Sequence, residues 1–173
     1  MRVPSFLLLC LLGVAGYADA DQATPTLPEK AHVQAFLGLV DVHKTNRSTQ
    51  FGAEYRSAQR WTYLDLRPFG GLMRTRKQSH LAYAGIARES KFSTAETGFF
   101  LAIDLAIGFY RHGGRSDVDL GFPVQLRTGA SLRYRFQDGT RLGLAFHHMS
   151  NASMSRTNPG TETISLTYAL PLP

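Results

Sequence analysis

The sequence predicts an all-β fold, an eight-stranded antiparallel transmembrane β-barrel of the bacterial outer membrane. Three observations predict it: an N-terminal export segment, eight stretches with strand-like alternation, and a length of 173 residues that suits one domain. The mean hydropathy of -0.16 is typical of a soluble protein. Alternating membrane strands give a similar average, so this value does not exclude a barrel.

The first twenty residues have the three parts of a secretory signal. Arg2 provides a positive charge, residues 6–15 are apolar, and residues 18–20 (ADA) match the small-residue cleavage pattern. The apolar run is too short to span a membrane as a helix. We therefore expect a signal peptide over residues 1–20 that is cleaved after Ala20.

Residues 21–31 are polar and aperiodic, and we expect them to form a flexible lead-in to a barrel domain over residues 32–173. The single cysteine, Cys10, lies in the export segment, so the exported chain would have neither a disulfide nor a thiolate metal site. The formal net charge of +6 favours anionic partners such as lipid phosphates or acidic glycans. Export argues against nucleic acid as a partner.

Eight segments carry strand-like alternation and are separated by turn-like residues. The fifth and sixth are the most regular, with Phe or aliphatic residues at nearly every second position. In the third, Pro68 and the Gly70-Gly71 pair suggest a bend or a β-bulge. The predicted strands are 32–40, 50–56, 62–74, 80–88, 99–109, 122–136, 141–149 and 162–170.

The connections predict which end of the barrel faces outward. Between the sixth and seventh strands, Asp138-Gly139 predicts a tight hairpin with a type I′ turn. Short turns of bacterial barrels face the periplasm and longer loops face the outside. We therefore expect residues 149–161 to lie in an outer loop, at the level of the outer leaflet.

The two faces of the predicted strands differ in size and charge. One face is crowded with Phe, Leu, Ile and Tyr, and the other mixes glycine and alanine with charged residues. An eight-stranded barrel has room inside only for side chains, which suits the second face, whereas the bulky apolar face suits lipid. The alternation alone also fits a soluble periplasmic barrel that binds lipid inside, and this alternative stays open.

Reactive side chains continue the apolar face where the seventh strand ends and the eighth begins. His148 and Ser150 follow Phe146 at intervals of two, and Glu162 starts the row of Ile164. A serine becomes nucleophilic when an adjacent base takes its proton, and a third group orients that base. Polar groups that face lipid are costly and usually functional. We predict Ser-His-Glu ester hydrolysis, with a non-catalytic His and Ser at a strand end as the alternative.

The loop between these strands contains donors for an oxyanion hole. Asn151 and Asn158 carry side-chain amides, and the backbone around Ala152 and Gly160 provides N–H groups. This chemistry needs no metal and no cofactor, and the remaining histidines are too dispersed to suggest a metal site. His147 should point inward, so we expect it to have a structural role.

Residues 147–168, HHMSNASMSRTNPGTETISLTY, resemble the active-site region of the lipid A 3-O-deacylase (PagL) family of eight-stranded outer-membrane barrels. The shared pattern is His-x-Ser, Asn-Ala, Asn-Pro-Gly and a Glu on the last strand. The resemblance implies that Ser150 is the nucleophile, His148 the general base and Glu162 its orienting acid. It also implies that Asn158 lies in the oxyanion hole, with Asn151 beside it. The C-terminal ALPLP departs from the family by lacking a terminal aromatic residue.

We therefore expect an enzyme that removes the ester-linked 3-hydroxyacyl chain at the 3-position of lipid A, the membrane anchor of lipopolysaccharide. The expected partners are this substrate and outer-membrane lipids, and the sequence leaves a homodimer open. A catalytically silent barrel used for structure or adhesion is the alternative. Arg111, Arg115 and Arg156 could hold lipid A phosphates, although solvated surface charge explains each equally well.

Overall fold

The computed structural model describes residues 30–44, 46–61, 63–92, 97–114 and 116–173. In this part of the chain, eight antiparallel strands pair in sequence order, and the first pairs with the last to close a barrel. The predicted eight-stranded antiparallel barrel is confirmed. The predicted signal peptide and most of the lead-in lie outside the described residues. No helix in the described ranges is long and apolar enough to cross a membrane.

The strands are long for an ordinary sheet protein, at 9 to 14 residues. A tilted strand needs roughly 9–11 residues to cross a bilayer, so the barrel has the height that a membrane requires. The strands are β1 (His32–Val40), β2 (Ser48–Arg56), β3 (Leu66–Thr75), β4 (His80–Lys91), β5 (Gly98–Arg111), β6 (Val124–Arg135), β7 (Arg141–Ser150) and β8 (Thr161–Pro171).

The third strand starts later than predicted. Residues 63–65 form a turn in which Asp65 has a φ of 51°, and β3 begins at Leu66. An exposed ion pair between Arg60 and Asp65, at 2.5 Å, lies across this turn. The apolar residues before Leu66 therefore belong to the inner end of the barrel rather than to its wall.

A bend or a bulge was predicted in β3, and the bulge is absent, because β3 pairs with both neighbours one for one. Pro68 is tolerated because it lies just beyond the β2 pairing, where its carbonyl accepts a hydrogen bond from Ser57 N at 3.0 Å. Gly71 has a packing role instead: a Cβ there would lie 2.7 Å from the hydroxyl of Tyr83. That hydroxyl donates to Glu54 Oε2 at 3.0 Å inside the barrel.

Alternate residues of each strand point into and out of the barrel. In β8 the inward residues are threonines, a serine and an alanine, all buried. The outward residues Ile164, Leu166, Tyr168 and Leu170 are 44% to 53% exposed. Such an apolar outer wall suits lipid and not water. The predicted assignment of the bulky apolar face to the outside is therefore confirmed.

Paired charges fill the interior. Arg56 lies 2.6 Å from Glu54, 3.4 Å from Glu89 and 3.6 Å from Asp104, and all four side chains are buried. Arginines from four strands converge on Glu89, at 3.2 to 4.0 Å. They are Arg56, Arg67, Arg133 and Arg141. Buried charges are tolerated when they are paired and hydrogen-bonded. Arg56, Arg133 and Arg141 meet that condition through hydrogen bonds to Glu54 or Glu89, and Arg67 is paired with Glu89 by charge alone at 4.0 Å.

The two ends of the barrel differ in their connections. The end that carries the β7–β8 connection has loops that we call outer loops 1 to 4. The opposite, inner end carries three connections and both ends of the described chain. Outer loops 1 to 4 are residues 41–47, 76–79, 112–123 and 151–160, and the inner connections are 57–65, 92–97 and 136–140.

Outer loop 3 closes the outer end of the barrel. Its Val118 and Leu120 are buried in one apolar cluster with Val40, Tyr110 and Met149. The Tyr110 hydroxyl donates to the Val118 carbonyl at 2.5 Å. The outer loops therefore rest on a packed cap, which gives the neighbouring outer loop 4 a fixed support.

The hairpin at residues 136–140 has a different turn type from the predicted one. Phe136 N donates to Thr140 O at 2.9 Å, and Gly139 N donates to Phe136 O at 3.0 Å. Within this hairpin only Gly139 has a positive φ, 83°, whereas a type I′ turn needs positive φ at both central residues. The type I′ prediction is therefore wrong. Asp138 instead accepts hydrogen bonds from the Thr140 amide and hydroxyl, at 2.9 and 2.6 Å, which hold it in the other conformation.

Candidate active site

His148 and Glu162 face each other directly across the β7–β8 ladder. Nδ1 of His148 lies 3.1 Å from Oε1 of Glu162. An ionised carboxylate can only accept, so the imidazole N–H at Nδ1 is the donor. Both side chains are on the outer surface, 42% and 24% exposed. The structure therefore brings together two of the three predicted catalytic residues and leaves Nε2 of His148 without a hydrogen bond to any described residue.

Ser150 ends β7, two residues beyond His148 on the same outward face. It pairs with Leu126 of β6. Alternate residues of a strand are roughly 6.5–7 Å apart at Cα, so the two side chains are within reach of each other. Both residues are described, and no hydrogen bond joins the Ser150 hydroxyl to the ring. Such bonds often form only when substrate is bound.

Asn151 anchors outer loop 4 at its first residue and is fully buried. Its Nδ2 donates to the carbonyls of Leu120, at 3.1 Å, and Thr157, at 2.7 Å. Its Oδ1 accepts from Ser153 N at 3.0 Å. Both N–H groups of the side chain are therefore used within the loops. This arrangement supports outer loop 4 and leaves the side chain no donor for a substrate.

The chain turns sharply directly after Ser150 and Asn151. Met154 N donates to Asn151 O at 2.9 Å, and the two central residues, Ala152 and Ser153, have φ values of 48° and 65°. Left-handed backbone costs a non-glycine residue about 1–2 kcal/mol. Backbone strain of this kind clusters at functional sites and persists where the surroundings fix it. Here the buried Asn151 side chain supplies that constraint.

Asn158 lies beside Asn151, and its Oδ1 accepts a hydrogen bond from Asn151 N at 3.0 Å. This bond fixes which side of the amide is oxygen and which is nitrogen. The Nδ2 group of Asn158 has no partner among the described residues, so its two N–H groups are available as donors. Of the two predicted asparagines, Asn158 is the one whose side chain can stabilise an oxyanion.

Gly160 packs against the imidazole of His148. Its φ is 59°, and a Cβ at this position would lie 3.1 Å from Cε1 and 3.6 Å from Nε2 of His148. Both the backbone conformation and the close approach favour glycine here. Gly160 therefore acts on the site through its position: its backbone forms one wall of the space that the imidazole occupies.

Outer loop 1 contributes two neighbours that the sequence analysis missed. Nζ of Lys44 donates to the carbonyls of Pro159, at 2.8 Å, and Gly160, at 2.6 Å. Asp41 N donates to the Glu162 carbonyl at 2.9 Å. No motif marks either residue, because only the closure of β1 against β8 brings them to the site.

The remaining candidates are His147 and three arginines. His147 points inward, with Nε2 2.8 Å from Arg127 Nη2 and 3.3 Å from Asp104 Oδ2, as its predicted structural role requires. Arg111 and Arg156 are exposed at the outer end. Arg115 lies outside the described residues. Among the described residues, no group of three or more His, Cys, Asp or Glu is arranged to hold a metal.

Comparison with known proteins identifies the family of the chain. The model of the family described as lipid A 3-O-deacylase (PagL) matches residues 30–171. The chain belongs to this family. The match thus covers all eight strands of this PagL-family chain and is not limited to residues 147–168.

Two known proteins are similar to this PagL-family chain over most of its length. Lipid A deacylase PagL of Bordetella bronchiseptica is 24% identical over 166 residues, covering 91% of this chain and 93% of that protein. The crystal structure of the outer membrane enzyme PagL matches with a TM-score of 0.68 at 18% identity, covering 82% of this chain and 99% of that one. This second match shows that the two chains share the barrel fold.

Proposed function

We propose that this protein is an outer-membrane lipid A 3-O-deacylase, a serine esterase that hydrolyses the ester-linked 3-hydroxyacyl chain at the 3-position of lipid A. The observation that carries the proposal is the hydrogen bond between His148 and Glu162 on the outward wall beside Ser150. Membership of the PagL family supports the choice of lipid A as the substrate. The proposal includes export and removal of the signal peptide over residues 1–20.

The position of the site suits an ester in a membrane lipid. Along β7 the outward row runs from Leu144 and Phe146 to His148 and Ser150. An acyl chain in the outer leaflet can lie along the apolar part of this row, with its ester at the height of the polar part. Hydrolysis then needs no cavity inside the barrel, whose interior is filled with ion pairs.

The proposed reaction has two stages. Nε2 of His148 takes the proton of the Ser150 hydroxyl as its oxygen attacks the ester carbonyl carbon, while Glu162 stabilises the imidazolium at Nδ1. The tetrahedral intermediate expels the sugar oxygen, which receives the proton from His148, and leaves an acyl-enzyme. Water, deprotonated by His148, then attacks the acyl carbonyl, and the Ser150 oxygen is expelled and takes that proton back from His148. The products are a 3-hydroxy fatty acid, 3-O-deacylated lipid A and free Ser150.

The oxyanion of the intermediate needs donors that are already in place. Asn158 offers its Nδ2 group, and its orientation is set by the hydrogen bond from Asn151 N to its Oδ1. Asn151 acts indirectly, because its side chain donates to the carbonyl of Leu120 and so attaches outer loop 4 to outer loop 3. Asn158 is therefore the donor in this proposal, and Asn151 holds it.

Mass spectrometry of lipid A from a Gram-negative host tests the proposal. Expression of the wild type should remove the mass of one 3-hydroxyacyl chain, and Ser150→Ala and His148→Ala should each abolish that loss. Glu162→Ala should leave residual activity, because removing the orienting acid of such a triad is roughly 10²-fold less severe than removing the nucleophile or base.

The controls are the amount of each variant in the outer membrane and its mobility shift on heating, which reports a folded barrel. Unmodified lipid A in cells that contain folded wild type would contradict the activity. Continued deacylation by both Ser150→Ala and His148→Ala would contradict the mechanism.

A further inference from the structure

Lys44 joins two outer loops that are far apart in the sequence. From outer loop 1 its ammonium reaches two successive backbone carbonyls of outer loop 4, those of Pro159 at 2.8 Å and Gly160 at 2.6 Å. The same ammonium lies 4.0 Å from the buried carboxylate of Asp41. Hydrogen bonds from a charged donor are shorter and stronger than neutral ones. This contact is therefore a strong restraint on the backbone at Gly160.

That backbone is in contact with the catalytic base. A Cβ on Gly160 would lie 3.1 Å from Cε1 of His148, so any shift of Gly160 changes the space in which the imidazole turns. The same part of outer loop 1 is bonded to the other side of the site. Asp41 N donates to the Glu162 carbonyl at 2.9 Å, and Thr161 Oγ1 donates to Asp41 Oδ1 at 3.2 Å.

We propose that Lys44 is a positioning residue of the active site. It acts through the carbonyls of Pro159 and Gly160, holds Gly160 against the His148 ring, and fixes the end of the loop that carries Asn158. The inference rests on the proposed deacylase function and deepens it. Lys44 touches neither the ester nor the reacting atoms. Its contribution is to keep the imidazole and the oxyanion donor aligned with Ser150.

A surface lysine near a lipid A site has another explanation, which is a direct contact with a substrate phosphate. The two roles separate in the kinetic constants. Loss of a phosphate contact weakens binding and raises KM, whereas loss of alignment lowers kcat and leaves KM unchanged. Misplacement of reacting groups by about 1 Å can cost on the order of 10²-fold in rate. The positioning role therefore predicts a fall in kcat of that order.

The chain offers a matched control. Lys77 also bridges outer loops, donating from Nζ to the Ser116 carbonyl at 2.6 Å and the Asn46 carbonyl at 3.2 Å. It contacts neither Pro159 nor Gly160. Replacing Lys77 therefore removes two comparable contacts between outer loops without releasing the backbone beside His148.

The experiment compares the wild type with Lys44→Met, Lys44→Arg, Lys77→Met and Ser150→Ala. Each full-length protein is folded in detergent micelles, checked for its heat-dependent mobility, and assayed for kcat and KM on purified lipid A. We expect Lys44→Met to lose on the order of 10²-fold in kcat at unchanged KM. Lys44→Arg, which keeps a charged donor, should recover much of the loss. Lys77→Met should match the wild type.

Three results would overturn the inference: wild-type kcat in Lys44→Met, a change confined to KM, or an equal fall of kcat in Lys77→Met. A folded wild type without deacylase activity, or an active Ser150→Ala, would instead overturn the proposed function. The two failures are thus told apart within one set of assays.

Discussion

At the scale of single residues, the site is defined by which atoms are already engaged. Nδ1 of His148 is bonded to Glu162, so in the proposed mechanism Nε2 is the nitrogen that accepts the Ser150 proton. The amide of Asn151 is engaged on every polar atom, whereas the Nδ2 group of Asn158 remains available. In the proposed mechanism, His148 and Asn158 therefore contact the reacting groups, and Glu162 and Asn151 hold them in place.

Part of this division could be predicted from the sequence. A period of two places His148 and Ser150 on one face, and the hairpin order of strands brings Glu162 next to them. The hydrogen bonds of Asn151 and Lys44 could not be predicted. They depend on which carbonyls outer loops 3 and 4 present, and those positions are set by closure of the barrel and not by local pattern.

At the scale of elements, alternation predicted the strands well and the turns less well. The strands could be predicted because one face of most of them is largely apolar. The bulge expected in β3 is absent, because Pro68 lies beyond the end of the β2 ladder and Gly71 makes room for Tyr83. Asp138-Gly139 was assigned the wrong turn type, because the Asp138 carboxylate bonds to Thr140. Side-chain contacts of this kind are not visible in a residue pattern.

Outer loop 3 gives a prediction at this scale. Asp117 is buried there and accepts hydrogen bonds from the Thr75 hydroxyl, Ser79 N and Val118 N. Burial alone raises the pKa of the Asp117 carboxyl, but these hydrogen bonds outweigh it and hold the pKa below its usual value. A lowered pKa means that the stabilisation is present above the ordinary carboxyl pKa of about 4 and is lost as the pH falls through the lower, folded value.

We expect the protection of the Val118 amide against hydrogen exchange to fall in that acidic range, and Asp117→Asn to lower it at neutral pH. The expected loss is about 1–3 kcal/mol in the free energy of local opening, because buried donors are left unsatisfied. NMR-detected exchange in micelles measures it. Asp119→Asn is the control: Asp119 is exposed and, among the described residues, accepts a hydrogen bond only from Gly121 N, so this substitution should have little effect. Equal protection in wild type and Asp117→Asn would contradict this account.

At the scale of the whole molecule, the barrel is organised with its charges inside and its apolar surface outside. Size and charge of the two faces predicted this arrangement, since small residues and paired charges fit an eight-stranded interior. The particular pairs could not be predicted, because Glu89 meets arginines from β2, β3, β6 and β7 across the lumen. Because ion pairs fill the interior, the proposed chemistry on lipids is favoured on the outer wall.

The interior network gives a prediction for the stability of the barrel. Glu89→Gln removes the carboxylate that four buried arginines share, and breaking a buried pair costs about 3–5 kcal/mol in the free energy of unfolding. Asp65→Asn is the matched control, because its pair with Arg60 is exposed and such pairs contribute about 0–1 kcal/mol. Reversible urea unfolding in lipid vesicles measures both. A Glu89→Gln barrel as stable as the control would show that the network does not carry this energy.

The central claim is that Ser150, activated by His148, is a nucleophile on the lipid-facing wall. A long-chain alkyl fluorophosphonate tests it directly when added to the folded protein in micelles, with the adduct located by tandem mass spectrometry. We expect a single adduct on Ser150, none in Ser150→Ala, and labelling slowed by on the order of 10³-fold or more in His148→Ala. An adduct on another residue, or labelling of His148→Ala at the wild-type rate, would contradict the claim.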